Sequence, residues 1–228
     1  MRYLVLDFET TGFFDATTPQ CKKPLPREDY PTQVTLRAIN TDGTNSTELF
    51  STFITGATRF DPKVIDKVPF TVEDTLTGMT FQDVVEHMSK HVRPDDILCG
   101  HHLDYDLNVL QITATELNVD VSFMTTLKRF DTQINEYTRS LKKGTRWVVW
   151  YWKKQRRMVG PSLDALCKHL NIDRTDDALM AHDARKDAAD TASCVRVYIQ
   201  RFGLVEGSFP SPFAPTQISS TLKRRRTE

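Results

Sequence analysis

The stretch LVLDFETTG, Leu4 to Gly12, constrains this chain more than any other. Leu4, Val5 and Leu6 open a segment apolar enough to be a buried strand, and two acids then follow two positions apart. Strand side chains alternate faces, so Asp7 and Glu9 share one face while Leu4, Leu6 and Phe8 share the other. Like charges side by side at the end of a core strand are costly unless something binds them. The C-terminal end of a strand is also where open α/β sheets carry their sites. A strand end with two solvated acids is the plain alternative, and the D-x-E spacing alone does not decide between the two.

The rest of the chain sets the frame around that strand. Residues 3–8 are predicted as strand, closed by Gly12. From Phe13 to Pro31, the prolines Pro19, Pro24, Pro26 and Pro31 predict an irregular polar loop. QVTLRAIN (Gln33 to Asn40) and TELFSTFI (Thr47 to Ile54) are predicted strands joined by the turn Asn40-Thr41-Asp42-Gly43. Helices are predicted from Thr80 to Pro94, with Phe81, Val84, Val85, Met88 and Val92 recurring at helical spacing, and over LDYDLNVLQITATEL, with Leu103, Leu107, Leu110, Ala114 and Leu117 on one stripe. Between these two helices ILCG, Ile97 to Gly100, is a short buried strand. Further helices cover Ser162 to Leu170 and Asp183 to about Phe202. Strands first and strand–helix alternation later predict an α/β fold with a mixed central sheet flanked by helices. Past Gly203 the composition turns to Pro, Ser and Thr and ends in LKRRRTE. The expected division is therefore one domain, residues 1–205, and a disordered basic tail, residues 206–228.

Composition excludes more than it selects. Thirty basic and 30 acidic residues cancel, so net charge names no partner. The longest wholly apolar run, WVVWYW (Trp147 to Trp152), is far too short for a bilayer span, and LVL is too short for the core of a signal peptide. Four cysteines stand far apart in sequence, without metal-type pairing or disulfide-like density. These features predict no membrane association and a reducing compartment, cytoplasm or nucleus.

Two later stretches offer acids that could face the strand pair. Asp106 lies one residue before Leu107 and three after Leu103, at the edge of the apolar stripe, where a charge is costly unless something binds it. Asp104 falls on the polar side of the same helix. In HDARKDAADT (His182 to Thr191), Asp183 is a natural N-cap, with His182 just outside the helix. Asp183, Asp187 and Asp190 recur at i, i+4 and i+7, so three acids share a face and invite a cation, unless that face is simply solvated. Ala184, Ala188 and Ala192 line the adjacent face with little bulk, which would let the helix close on the sheet and bring Asp187 to the strand acids.

The three stretches together resemble the DnaQ-like 3′–5′ exonuclease family, in its subgroup with four acids and a histidine (DEDDh), on a ribonuclease H-like fold. LDFETTG resembles the first motif, GHHLDYDLNVL the second and HDARKDAADT the third, and SLDALCKHLNI fits the helix that usually precedes the third. The resemblance covers about residues 3–202. It implies that Asp7, Glu9, Asp106 and Asp187 bind two Mg²⁺ or Mn²⁺ ions and that His182 is the general base, for which the ordinary imidazole pKa of about 6.5 is suited. The implied activity releases nucleoside 5′-monophosphates from a single-stranded 3′ end, with DNA favoured over RNA on likeness to proofreading-type members and an RNA-directed 3′–5′ exoribonuclease as the alternative. His102 departs from the pattern, standing where the family usually carries Asn, and the loop after Gly12 and the segment around 140–158 are longer than in a minimal member.

Lys128 to Arg157 carries ten Lys and Arg against Asp131 and Glu136, interleaved with every tryptophan of the chain. Cations for phosphates and rings for bases make a single-strand binding surface, so Arg146, Trp147, Trp150, Lys153 and Lys154 are expected nucleic-acid contacts, with Thr10 beside the acids. A hairpin whose tryptophans are core would explain the same pattern. KRRR, Lys223 to Arg226, fits a nuclear localisation signal, a phosphate anchor or a solubilising tail. Two readings compete with the enzyme: a non-catalytic nucleic-acid-binding module that kept the fold, and an α/β scaffold for protein partners whose acids are solvated.

Overall fold

The computed structural model describes residues 1–12, 30–135, 138, 160–174 and 182–203. Five strands form one sheet in the order β3-β2-β1-β4-β5. These are β1 (Tyr3–Thr10), β2 (Pro31–Ile39), β3 (Ser46–Phe53), β4 (Ile97–Gly100) and β5 (Lys128–Asp131). Strand β1 is central, and the sheet changes character across it: β1–β2 and β2–β3 are antiparallel, whereas β1–β4 and β4–β5 are parallel. Helices α1 (Val72–Thr75), α2 (Phe81–His91), α3 (Leu103–Leu117), α4 (Ser122–Thr125), α5 (Leu163–Leu170) and α6 (Ala184–Phe202) complete the described elements.

Alternation along β1 divides the core in two. Leu4, Leu6 and Phe8 join Phe81, Val84 and Met88 of α2 and Leu103, Leu107 and Leu110 of α3. Tyr3 and Val5 face the other way, onto Leu166 of α5 and Ala188, Ala192 and Val195 of α6. The alanine face is fully buried against the sheet, as its lack of bulk predicts. Asp7 and Glu9 have the parity of Tyr3 and Val5, so the strand that packs α6 through its middle ends in acids beside that helix's start.

The predicted elements are all present, with differences at their edges. Strand β2 begins at Pro31, which sequence reading leaves in the loop; a proline is tolerated as the first residue of a strand. Leu117 is 48% exposed and does not belong to the apolar stripe, because it is the last residue of α3 and points past the edge of the core. Strand β5 and the two one-turn helices α1 and α4 escaped prediction: four residues show no period, and KRFD lacks the apolar run that marks the equally short ILCG of β4. The turn after Asn40 forms as expected: Gly43 has φ +69°, and its N–H donates to the Asn40 carbonyl at 3.0 Å.

The cysteines are not all apart. Cys167 and Cys194, on adjacent faces of α5 and α6, have their sulfurs 3.7 Å from each other, both buried as thiols. No helix among the described residues is long and apolar enough to cross a membrane. The loop over residues 13–29, the basic aromatic stretch with Arg146, Trp147, Trp150, Lys153 and Lys154, and the expected tail at 206–228 lie outside the described residues.

Candidate active site

Three elements meet at the C-terminal end of β1. The strand contributes Asp7 and Glu9, both half-buried. Helix α3 contributes Asp106 from the opposite layer, 4% exposed. Its Oδ1 accepts the Phe8 N–H at 2.9 Å, which ties the helix to the strand between the two strand acids. Helix α6 contributes Asp187 in its first turn and His182 just before its N-cap. Ligand-type atoms of Glu9, His182 and Asp187 all lie within 4.8 Å of one another. Asp7, Glu9, Asp106 and His182 line one cleft of about 370 Å³.

The electrostatics of this cluster are unbalanced. Burial pushes the Asp7 carboxyl well above its ordinary range, and Asp106, Glu9 and Asp187 push it further. Burial does the same to Glu9, reinforced by Asp187 and Asp106. Asp106 is raised by burial against the opposing Phe8 N–H, and Asp187 is raised to about 6, again by burial first. The Asp7 Oδ2 atom is shut off from solvent and has no hydrogen-bond partner among the described residues. A buried carboxylate oxygen without a donor, among three further acids and an imidazole, fits a divalent cation: all the acidic donors are hard oxygens, the type Mg²⁺ and Mn²⁺ prefer. A structural ion-pair network would have supplied a Lys or Arg to that oxygen.

The three-acid face of α6 resolves differently from expectation. Asp183 is the N-cap, as predicted, and forms a bidentate pair with Arg185, with Nε to Oδ1 at 3.0 Å and Nη2 to Oδ2 at 2.6 Å. Asp190 is held by Arg174, whose Nε donates to it at 2.9 Å and which also reaches Asp164. Two of the three acids therefore carry guanidinium partners, and Asp187 is the one turned to the cleft's acids. Arg185 lies two residues from Asp183, but Arg174 lies 16 from Asp190, and nothing periodic marks either arginine.

Asp131, counted in the sequence only as a stray acid in a basic segment, has a role there that reading missed. Helix α3 has His102 at its N-cap in the left-handed region, φ +70°, with no cap from its own side chain. Asp131, at the end of β5, supplies the cap instead: it accepts the N–H of His102 at 3.1 Å, of Leu103 at 3.0 Å and of Gln133 at 2.7 Å. The start of α3, and hence Asp106 one turn in, is fixed from the neighbouring strand. Removing this carboxylate in Asp131→Ala leaves those N–H groups unmet at a helix start and is expected to cost about 2 kcal/mol. Asp131→Asn, which keeps an acceptor oxygen, is expected to cost less; thermal denaturation of the two variants checks the order.

The remaining expected residues fall as follows. Thr10 lies in the cleft wall but is 6% exposed, and its hydroxyl bonds the Gly12 carbonyl at 2.7 Å and the Tyr105 hydroxyl at 2.8 Å. Its side chain braces the turn after β1 against α3. His101 is braced too, with Nδ1 2.9 Å from the Thr132 hydroxyl and Nε2 3.0 Å from the Pro161 carbonyl; burial lowers its pKa to about 4, so it is neutral at physiological pH. His182 has φ +61°, a conformation that costs a non-glycine residue about 1 kcal/mol and is concentrated at functional sites. The cleft is also lined by Val64, Lys67 and Val68, on a segment with its own small core of Phe60, Val64 and Val68.

Comparison with known proteins gives one sequence match and many structural ones. The profile of the exonuclease family typified by RNase T matches residues 4–195. No curated protein matches the chain by sequence. Among solved structures, Escherichia coli exonuclease I bound to a dT13 oligonucleotide superimposes with a TM-score of 0.62 at 16% identity, over 88% of this chain and 41% of that one. Its complex with a dA16 oligonucleotide gives 0.61 at 16% identity, over the same shares of each chain. A product-bound structure of exonuclease I gives 0.61 at 16% identity, over 88% and 43%. The chain thus spans less than half the length of these structures, and what it shares with them is the ribonuclease H-like fold.

Proposed function

The chain belongs to the exonuclease family, and from that premise we propose that it is a divalent-metal-dependent 3′–5′ exonuclease that releases nucleoside 5′-monophosphates from a single-stranded end, DNA in preference to RNA. The observation that carries this reading is the convergence of Asp7, Glu9, Asp106 and Asp187 with His182, from three distant stretches, around a carboxylate oxygen with no donor. The preference for DNA is supported by the fold shared with exonuclease I, whose structures hold dT13 and dA16. Residues 1–205 are taken as the exonuclease unit and residues 206–228 as its tail.

In this reading Asp7, Glu9, Asp106 and Asp187 would hold two Mg²⁺ or Mn²⁺ ions. When bound, such ions neutralise phosphate charge and polarise water and the leaving oxygen. The chain's own contribution is orientation. Asp106, held by the Phe8 N–H, keeps α3 at a fixed distance from β1. His182 lies beside Glu9 and Asp187, so its imidazole is within reach of a water bound there and takes the water's proton as it attacks phosphorus. The 3′ oxygen leaves, and the terminal nucleotide departs with the phosphate on its 5′ side. The cleft, lined also by Val64 and Val68, offers an apolar wall for a terminal base and excludes water from one side.

One synthetic strand in DNA and RNA versions, labelled separately at each end, tests the reading. A 5′-labelled ladder that shortens stepwise in Mg²⁺ or Mn²⁺ and stops in chelator is the expected result, with DNA cut faster. His182→Ala is expected to slow it by about 10²–10⁴-fold, the usual range for a general base. Tight binding of either strand without metal and without cleavage would replace the enzyme by a binding module.

A further inference from the structure

The geometry points to Gln33 as a positioning residue that sets the distance between the β1 acids and the α6 pair, His182 and Asp187. This rests on the exonuclease reading above and adds a residue outside its motifs. Gln33 lies opposite Glu9 in the antiparallel β1–β2 register and is 2% exposed. Its two polar ends are both used, and on the same target. Nε2 donates to Asp183 Oδ1 at 3.2 Å, and Oε1 accepts the Ala184 N–H at 2.9 Å.

Those two partners define the start of α6. Asp183 is its N-cap, and Ala184 is its first residue, whose N–H no helix satisfies internally. His182 immediately precedes the cap, and the Asp187 N–H donates to the Asp183 carbonyl at 3.0 Å. One amide side chain and one step of the strand ladder therefore connect Glu9 to both α6 residues of the site. The clasp is directional. An amide presents a donor to the Asp183 carboxylate and an acceptor to the Ala184 N–H, whereas a carboxylate at position 33 would face Asp183 with like charge and a thioether would satisfy neither.

The functional consequence is a defect in turnover and not in substrate affinity, because the helix start would drift while the cleft walls stay. A misplacement of about 1 Å can cost on the order of 10²-fold in rate. Gln33→Met, similar in volume but without hydrogen bonds, is expected to lower kcat by about 10–100-fold with KM within about twofold. Gln33→Glu keeps an acceptor for the Ala184 N–H but sets a like charge against Asp183, and is expected to lower kcat at least as far as Gln33→Met. Loss of thermal stability alone, with kcat unchanged in Gln33→Met, would reduce Gln33 to packing and overturn the inference. Wild-type kcat in Gln33→Glu would do the same.

Mn²⁺ titration calorimetry on the same three proteins separates this inference from the reading beneath it. Wild type that binds Mn²⁺ but cleaves no strand defeats the exonuclease reading only. The clasp then stands if Gln33→Met and Gln33→Glu each weaken Mn²⁺ binding by about tenfold, and falls if affinity is unmoved. Wild type that neither cleaves nor binds Mn²⁺ overturns both.

Discussion

Asp7→Asn is expected to abolish nuclease activity, by at least about 10³-fold, while making the metal-free protein more stable. The two effects have one cause. The Asp7 Oδ2 atom is enclosed and lacks a donor, and the neighbouring acids raise the cost of its charge. Losing a central metal ligand removes several kcal/mol of transition-state stabilisation, and about 4 kcal/mol is already 10³-fold. In chelator the same change removes a buried charge and gives Glu9 or Asp106 an amide donor. A buried polar atom left unmet costs about 1–3 kcal/mol, so a gain of about 1–2 kcal/mol is expected. For a chain of this length that raises Tm by about 2–8 °C. Stability traded for activity in this way is a common property of functional sites. Activity assays paired with calorimetry in chelator check both halves. A variant that stays active, or one that loses activity by melting at a lower temperature, contradicts the assignment of Asp7.

In chelator, stability is expected to fall as pH rises from about 5 to 8, and divalent cation is expected to reverse the fall. The sign follows from the direction of the shifts. Asp7, Glu9, Asp106 and Asp187 are all raised in the folded state above their ordinary values. The folded protein therefore holds protons that the unfolded chain releases near pH 4. Their contribution is fully present below about pH 4 and is lost as pH passes the folded values, about 6 for Asp187 and above the ordinary range for the others. Cations bind only the deprotonated set, so Mn²⁺ should raise Tm more at pH 8 than at pH 5. Ligand at about a hundred times its Kd contributes about 2.7 kcal/mol. Tm measured across pH, with and without Mn²⁺, decides the matter: a metal-free Tm that rises over this window, or a cation effect independent of pH, would mean the acids are not one enclosed cluster.

The exchange between sequence and structure is clearest on α6. Its apolar and alanine faces, the Asp183 cap and the position of Asp187 follow from residues within a few places of one another, and the structure has them as predicted. The fate of its acids does not follow in that way. Arg174 reaches Asp190 from the loop after α5, and Gln33 reaches Asp183 from β2, 150 residues earlier. The same holds on α3. Its length and buried stripe were legible, yet Asp131 caps it from β5, a strand with neither a period nor an apolar run to mark it.

By itself, then, the sequence determined the strand that ends in two acids, the helices that carry Asp106 and His182 with Asp187, and the α/β class. Each rests on the 2-residue or 3.6-residue periods, or on a cap, which are properties of neighbours along the chain. Only the tertiary structure decided which acids are left without a cationic partner, because that depends on which charges are already paired. Arg185 and Arg174 neutralise Asp183 and Asp190, while Asp7 Oδ2 is left among acids without a donor. The strand order β3-β2-β1-β4-β5 sets the other two contacts, bringing Gln33 of β2 to the start of α6 beside Glu9 and Asp131 of β5 to the start of α3. No local pattern encodes that order, since it arises from burying both faces of one sheet at once.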